Sequence, residues 1–318
     1  MILILAASLD YLIGDPWGWP HPVRVMGWVI SQFTDLVLNK WSSSSKRRWA
    51  GIFLSVGLIV GSGFVGWVLV SIARRLHPLV GLSIESILLA SCFALRSLHS
   101  AAVDVLQPLT TGQLTKARSK LSQYVGRDTQ KLTDSEILRA VLETVAENAI
   151  DGVMAPLFYA IVGAFFPGVG SVPFALAYKA ASTIDSMIGY RHEPLQDLGW
   201  FGAKLEDFLT LVPCRLTVIT ISLVSGKPQK VWRLCCRDAR SDPSPNSGWS
   251  ECAYAAVLEV QLGGINWYQG VAKSKPLLGD PIQSITPAHI YQALRLTRNC
   301  FLIWLSLVIA VLSLTALP

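Results

Sequence analysis

Long apolar runs alternate with short polar stretches along this chain, and the polar punctuation is mostly basic. Ala50 to Ala73 contains no charge and lies between Lys46-Arg47-Arg48 and Arg74-Arg75. Pro78 to Leu98 is broken only by Glu85 and Arg96, and Cys300 to Leu317 follows Arg295 and Arg298 with no charge after it. A helix needs about 20 apolar residues to cross the hydrocarbon core of a bilayer, so these three runs predict spanning helices.

Other runs fall short of that length. Val153 to Phe166 stops at Pro167-Gly168-Val169-Gly170, and Val172 to Tyr178 leads into Lys179. Neither arm reaches across, and the pair predicts a re-entrant or membrane-seated hairpin. Leu209 to Val224 carries Pro213 and Arg215 and is grouped with the short arms. Met1-Ile2-Leu3-Ile4-Leu5 opens without a basic flank and Asp10 follows too early for a signal-peptide core, so a retained first helix is expected. The fold class is then an all-α integral membrane protein, with transmembrane, membrane-seated and cytoplasmic helical segments in a single embedded domain over residues 1–318.

Thr110 to Ala149 and Lys227 to Arg298 are rich in Lys and Arg, which places both on the cytoplasmic side. The three spans agree: the first leaves the cytoplasm after Arg48, the second returns before Leu106 and the third leaves after Arg298. An inner-membrane location with the chemistry on the cytoplasmic face follows.

Composition supports the membrane reading. Only 15% of residues are charged and 52% are hydrophobic, against about 25% charged in a soluble domain. The net charge of +6 fits basic cytoplasmic loops and contact with anionic lipid or an anionic substrate. No basic helix or aromatic RNA-binding pattern is present, so nucleic acid is not an expected partner. The six cysteines show no C-x-x-C spacing, and reduced thiols are expected.

The residues with chemical potential cluster at the edges of the apolar runs. Glu143, Glu147 and Asp151 are four residues apart, which stacks them on one face of a helix where like charges repel. Such a stripe is either a solvated face with Arg139 as a partner, or a site for Mg²⁺ or a cationic group. Upstream, Arg127-Asp128 either pair with each other or serve a ligand, ahead of a helix opened by the capping-box pattern Thr133-Asp134-Ser135-Glu136. Gly14-Asp15-Pro16 reads as a turn in which Asp15 bonds its own backbone, followed by His21 and Arg24. Lys179, Thr183 and Asp185 offer a cation, a hydroxyl and a carboxylate ahead of Arg191, although a lysine there can simply snorkel. Glu206, Asp207 and Arg215 mark another membrane edge and can pair among themselves. Finally, Arg237-Asp238-Ala239-Arg240-Ser241-Asp242-Pro243-Ser244-Pro245-Asn246-Ser247-Gly248 leads into a predicted helix from Trp249 to Leu262. Ser and Asn there cap the helix, and the same donors with arginines upstream make a phosphate site. No G-x-x-x-x-G-K-[ST] loop exists, so ATP is not deducible from a standard motif.

Taken together, these clusters resemble the membrane-bound adenosylcobinamide-phosphate synthase family of cobalamin biosynthesis. The matching segments are GDP…HPVRVMG, VGRDTQKL, ETVAENAIDGVMAPLF, YKAASTIDSMIGYR, LEDFLTLVPCRL and RDARSDPSPNSG, in this order from Asp10 to Gly264. The chain departs from the family pattern at Ser182, where Asn is usual, at Glu206, where Asp is usual, and at Asp242, where His is common. Glu259 stands in a helix usually richer in small residues there.

The resemblance implies an ATP-dependent amide ligase that joins adenosylcobyric acid to aminopropanol phosphate, or to an ethanolamine analogue, with Mg²⁺ screening the phosphates. By residue type, Glu143, Glu147, Asp151, Asp185 and Asp207 are the metal candidates. Glu147, Asp151, Lys179, Asp185, Asp15 and His21 are the catalytic candidates, the last two as general bases. Arg127, Arg191, Arg215, Arg237, Ser244, Asn246, Ser247 and Gly248 are candidates for binding the nucleotide or substrate phosphates. Other membrane enzymes of the pathway are the neighbours this implies. The competing readings are an ion-coupled transporter with Glu85, Glu147 and Asp185 binding a cation in the bilayer, and a membrane sensor.

Overall fold

The structure is a computed structural model, and it describes residues 1–14 and 21–315. Asp15, its expected turn, and the end of the last apolar run at Leu317 lie outside the described residues. The chain folds as α1 (Ile2–Leu12), α2 (Pro22–Lys40), α3 (Ser44–Leu76), α4 (Pro78–Ala90), α5 (Leu95–Thr110), α6 (Leu114–Leu121), α7 (Asp134–Asn148), a π-helical turn (Ala149–Met154), α8 (Ala155–Ala164), α9 (Ser171–Ile188), α10 (Trp200–Val224), α11 (Pro228–Asp238), α12 (Ser247–Leu258), β1 (Leu262–Tyr268), β2 (Val271–Leu278) and α13 (Pro287–Thr315). It is an all-α membrane protein with, among the described residues, one small two-stranded sheet.

Among the described residues, five helical stretches are long and apolar enough to cross a bilayer: Ser44–Leu76, Pro78–Thr110, Asp134–Ala164, Trp200–Val224 and Pro287–Leu314. The sequence predicts three of them. The other two are longer than their apolar cores suggest. Val153 to Phe166 is not an isolated short arm, because α7 runs into it through the π turn. Pro156 lacks the N–H that would bond Gly152, and the widened turn ends just before it. Leu209 to Val224 extends back to Trp200. Pro213 leaves the Leu209 carbonyl without its intrahelical donor, and Tyr159 Oη donates to that oxygen at 2.9 Å. Between Ala50 and Ala73 the exposed side chains of α3 are apolar, Phe53, Val60 and Phe64 among them, as lipid contact requires.

Two compact units emerge, each built from two parts of the chain: Met1–Ala94 with Ala155–Thr210, and Leu95–Met154 with Leu211–Pro318. In the first, α3 packs on α9 through glycines. A Cβ on Gly66 would lie 2.6 Å from Leu176 Cδ1, and one on Gly63 would lie 3.1 Å from the Pro173 carbonyl. Ile30, Val37, Leu54, Ile184, Ile188 and Leu198 form a buried cluster here. Arg74 and Glu85 pair at 2.6 Å beside the α3–α4 corner, so a buried glutamate in an apolar run has its counter-ion eleven residues away. In the second unit, α7 packs against α5, α12 and α13. Tyr254 is buried on α12 and shares a 2.6 Å hydrogen bond with Thr297 of α13.

Candidate active site

The site in the second unit is built outward from α7. Its expected capping box is present: the Thr133 side chain accepts from Glu136 N–H and the Glu136 carboxylate accepts from Thr133 N–H. Further along, Glu143 is 2% exposed and fully engaged. Arg127 donates to its Oε2 at 2.5 Å, Gly263 N–H donates to Oε1 at 2.9 Å, and Arg139 stands 3.5 Å from Oε1. Arg127 and Arg139 also converge on Asn266 Oδ1 at 2.9 and 3.1 Å, and Arg139 donates to the carbonyls of Gly263 and Ile265.

These contacts bind the β1–β2 hairpin to α7. Its Gln269-Gly270 turn has positive φ at both residues, as a two-residue primed turn requires. The Asp128 carboxylate accepts from both turn N–H groups, at 3.1 and 2.8 Å. Arg127 and Asp128 therefore hold two different parts of one hairpin rather than each other. A bulge at Gly263, where a Cβ would meet the Pro276 carbonyl at 1.9 Å, lets the chain pass close to Glu143.

Anchored in this way, the hairpin delivers Lys275. Its Nζ is 2.5 Å from Glu251 Oε1 and 3.9 Å from Asp242 Oδ2. Glu251 is fully buried on α12, and Ser247, one turn earlier, donates to the same Oε1 at 2.8 Å. Burial pushes the Glu251 carboxyl up to about 8; Lys275 opposes this, while Glu143 and Glu147 add to it. Burial disfavours the Lys275 ammonium, but Glu251, Glu143 and Glu147 outweigh that and hold its pKa above the ordinary lysine value.

Glu147 is exposed and lies within electrostatic reach of Lys275, Asp242, Glu143 and Arg127. The expected stripe does not continue as one α-helical face. Asp151 falls on the π turn, which widens the helix and shifts Asp151 off the line set by Glu143 and Glu147, and it is half-buried. Among the described residues no three His, Cys, Asp or Glu side chains gather as a metal-binding group.

The loop before α12 is held by its own side chains. Asp242 Oδ1 accepts from Ser244 N–H at 2.9 Å, and Ser244 Oγ accepts from the N–H groups of Asn246 and Ser247 at 3.4 and 3.2 Å. Gly248 has no room for a Cβ, which would fall 2.5 Å from the Ala239 carbonyl. Arg215 reaches this loop from α10, donating to Asn246 Oδ1 at 3.2 Å and to the Pro245 carbonyl at 2.8 Å, with its guanidinium 4.5 Å from the Trp249 ring. Arg237 is engaged by Asp238 and Asp280, each at 2.8 Å or less. Those carboxylates raise its pKa above the ordinary arginine value. The helix from this loop stops at Leu258, short of the expected Leu262. Glu259 follows with φ 60 as a left-handed cap rather than inside the helix.

The remaining candidates belong to the first unit. His21 caps α2, its Nδ1 accepting from Val23 N–H at 3.3 Å. Lys179 and Asp185 are half-buried on α9, and Arg191 is exposed just beyond it. Asp207 is half-buried on α10 and within electrostatic reach of Lys204 and Arg191. Beside it Glu206 is 6% exposed, taking hydrogen bonds from Tyr178 and Thr210. This unit also holds an open cavity of about 540 Å³. Its walls are largely apolar, Val25, Leu58, Val65, Leu69, Ile87 and Leu176 among them, and His21, the candidate base, is part of its lining.

Glu251, Lys275 and Asn266 are absent from the sequence-based candidates. One signal was available: Glu251 is the only charge between Trp249 and Leu258. Lys275 had none, since its role depends on hairpin register.

The fold and site define a class: a membrane-embedded helical protein that gathers four carboxylates (Glu143, Glu147, Asp242, Glu251) and three cations (Arg127, Arg139, Lys275) into one ionisable cluster. More particularly, the chain belongs to the CobD/CbiB family, whose model, described as CobD/Cbib protein, matches residues 3–297. It is 54% identical to the cobalamin biosynthesis protein CobD of Synechocystis sp., over 95% of this chain and 89% of that protein. It is 38% identical to CobD of Halalkalibacterium halodurans, over 94% and 92% of the two chains, and 38% identical to the cobalamin biosynthesis protein CbiB of Salmonella arizonae, over 96% and 95%. No solved structure matches the chain.

Proposed function

We propose that this protein acts in cobalamin biosynthesis as an ATP-dependent amide ligase, joining a corrinoid carboxylic acid, adenosylcobyric acid, to aminopropanol phosphate or a close amine at the cytoplasmic face of the inner membrane. The observation that carries the reading is the meeting, in one compact unit, of the polar loop 242–248 at the start of α12 with the acidic side of α7. Such a site suits a reaction in which anionic phosphates and a cationic amine meet.

The donor set fits Mg²⁺ of the kind shared with phosphates, which takes one or two protein carboxylates rather than a full protein cage. Exposed Glu147 and half-buried Asp151 would supply them. Glu143, with both oxygens engaged, positions the hairpin instead. Bound Mg²⁺ would screen phosphate charge. Arg215 with the Gly248 N–H would orient a phosphate at the helix N-terminus. Asp185 and Asp207 remain candidates for a second acidic group in the first unit.

Thermal stabilisation of the detergent-purified protein by ATP with Mg²⁺ tests this reading. A Tm rise that needs both is expected of the ligase. A Tm unmoved by nucleotide, with or without Mg²⁺, would favour transport or sensing.

A further inference from the structure

The acid cluster of the second unit is not satisfied by its own partners. Glu251 is fully buried, and its Oε1 accepts from Lys275 and Ser247, while its Oε2 finds no donor among the described residues. Asp242 is buried at its side chain and is the same case: Oδ1 accepts from Ser244 N–H, and Oδ2 has no hydrogen-bond donor among the described residues, with Lys275 3.9 Å away. Leaving a buried carboxylate oxygen unmatched is costly, so two such oxygens, on carboxylates that share one lysine, call for a donor. The charge balance agrees: the four carboxylates outnumber the three cations by one. The surplus is relieved by a proton or by a cation brought from outside. Glu147, on the exposed side of α7, lies within electrostatic reach of the same groups.

We propose that Glu251 and Asp242 form the recognition site for the primary ammonium of the amine substrate, and that Glu251 Oε2 is the base that takes its proton. The inference rests on the amide-ligase reading and adds to it the identity of the base. The ammonium donates to Glu251 Oε2 and Asp242 Oδ2, giving each the partner it lacks. One proton passes from nitrogen to Glu251, leaving a neutral amine and a protonated carboxyl. The nitrogen lone pair then forms the N–C bond to the acyl carbon activated by the nucleoside triphosphate. The C–O bond to the departing phosphate breaks with its electron pair, and the second nitrogen proton leaves with that phosphate. Lys275 holds Glu251 from the opposite oxygen and is a positioning residue.

The test compares two nucleophiles in the full-length, detergent-purified protein supplied with corrinoid acid, ATP and Mg²⁺. Aminopropanol phosphate is protonated at neutral pH and needs a base; hydroxylamine is largely neutral there and does not. In Glu251→Gln, amide formation from aminopropanol phosphate should fall by about 10²–10⁴-fold, while hydroxamate formation stays within about threefold of the native protein. Retained hydroxamate also reports that the variant is folded. Equal loss of both products, or retention of both, would overturn the assignment. If E251Q does not fold, E251D replaces it, with the same split expected in smaller measure. A native protein that makes neither product fails earlier, at the ligase reading itself, and the two failures are distinguished by that control.

Discussion

At the residue scale, the most consequential contrast is between Glu143 and Glu147, one helical turn apart. Glu143 is enclosed by two guanidiniums and a backbone N–H, whereas Glu147 is exposed beside the same cluster. Their substitutions should therefore differ in kind. Glu147→Gln should leave the stability within about 1 kcal/mol of native and abolish Mg²⁺-dependent turnover; unchanged turnover and Mg²⁺ response would remove Glu147 from the metal set. Glu143→Gln breaks a buried charge network and should cost about 3–5 kcal/mol, read as a lowered Tm without ligand. Gly248 offers a steric counterpart. A Cβ there meets the Ala239 carbonyl at 2.5 Å and Asp242 Cβ at 2.6 Å, so Gly248→Ala should cost about 1–3 kcal/mol and disturb Asp242.

At the element scale, the hairpin is the part that the sequence concealed. Gln269-Gly270 is a weaker turn signal than Asn-Gly, and the β1 run contains two glycines that read as a helix stop. The hairpin closes because Asp128, 141 and 142 residues away in sequence from its two contacts, accepts from both turn N–H groups. Asp128→Ala removes charge-assisted bonds of about 1.5 kcal/mol, roughly tenfold in amide exchange at Gln269 and Gly270. No change in that exchange would place the turn's stability elsewhere. The long spans were legible where apolar runs carried no charge. Those built on α7 and α10 were not, because Glu143, Pro213 and Arg215 look prohibitive until their partners, Arg127, Tyr159 and Pro245, arrive from distant segments.

The end of α12 provides a pH probe at the same scale. Hydrogen bonds from Lys230 and Lys227 hold the Glu259 carboxyl down to about 2. A depressed carboxylate stabilises the fold above its ordinary value of 4.5 and loses that contribution as pH falls through about 2. The Tm difference between native protein and Glu259→Gln should therefore be present at neutral pH and shrink as pH falls from 4.5 towards 2. A pH-independent difference would show that the pairing does not contribute.

At the scale of the whole molecule, the division into two units sorts the candidate chemistry. Arg127, Glu143, Glu147, Asp151, Arg215, Arg237 and the loop from Ser244 to Gly248 belong to the second unit, while His21, Lys179, Asp185, Arg191 and Asp207 belong to the first. The motif order along the sequence gave no hint of this division, since both units are drawn from separated stretches of chain. The central claim is that the molecule makes an amide bond at the expense of ATP. The direct measurement is product formation by the detergent-purified protein given adenosylcobyric acid, aminopropanol phosphate, ATP and Mg²⁺, with each omitted in turn and the products identified by mass. An amide product that requires all four is expected. A folded, corrinoid-binding protein that forms none would contradict that claim.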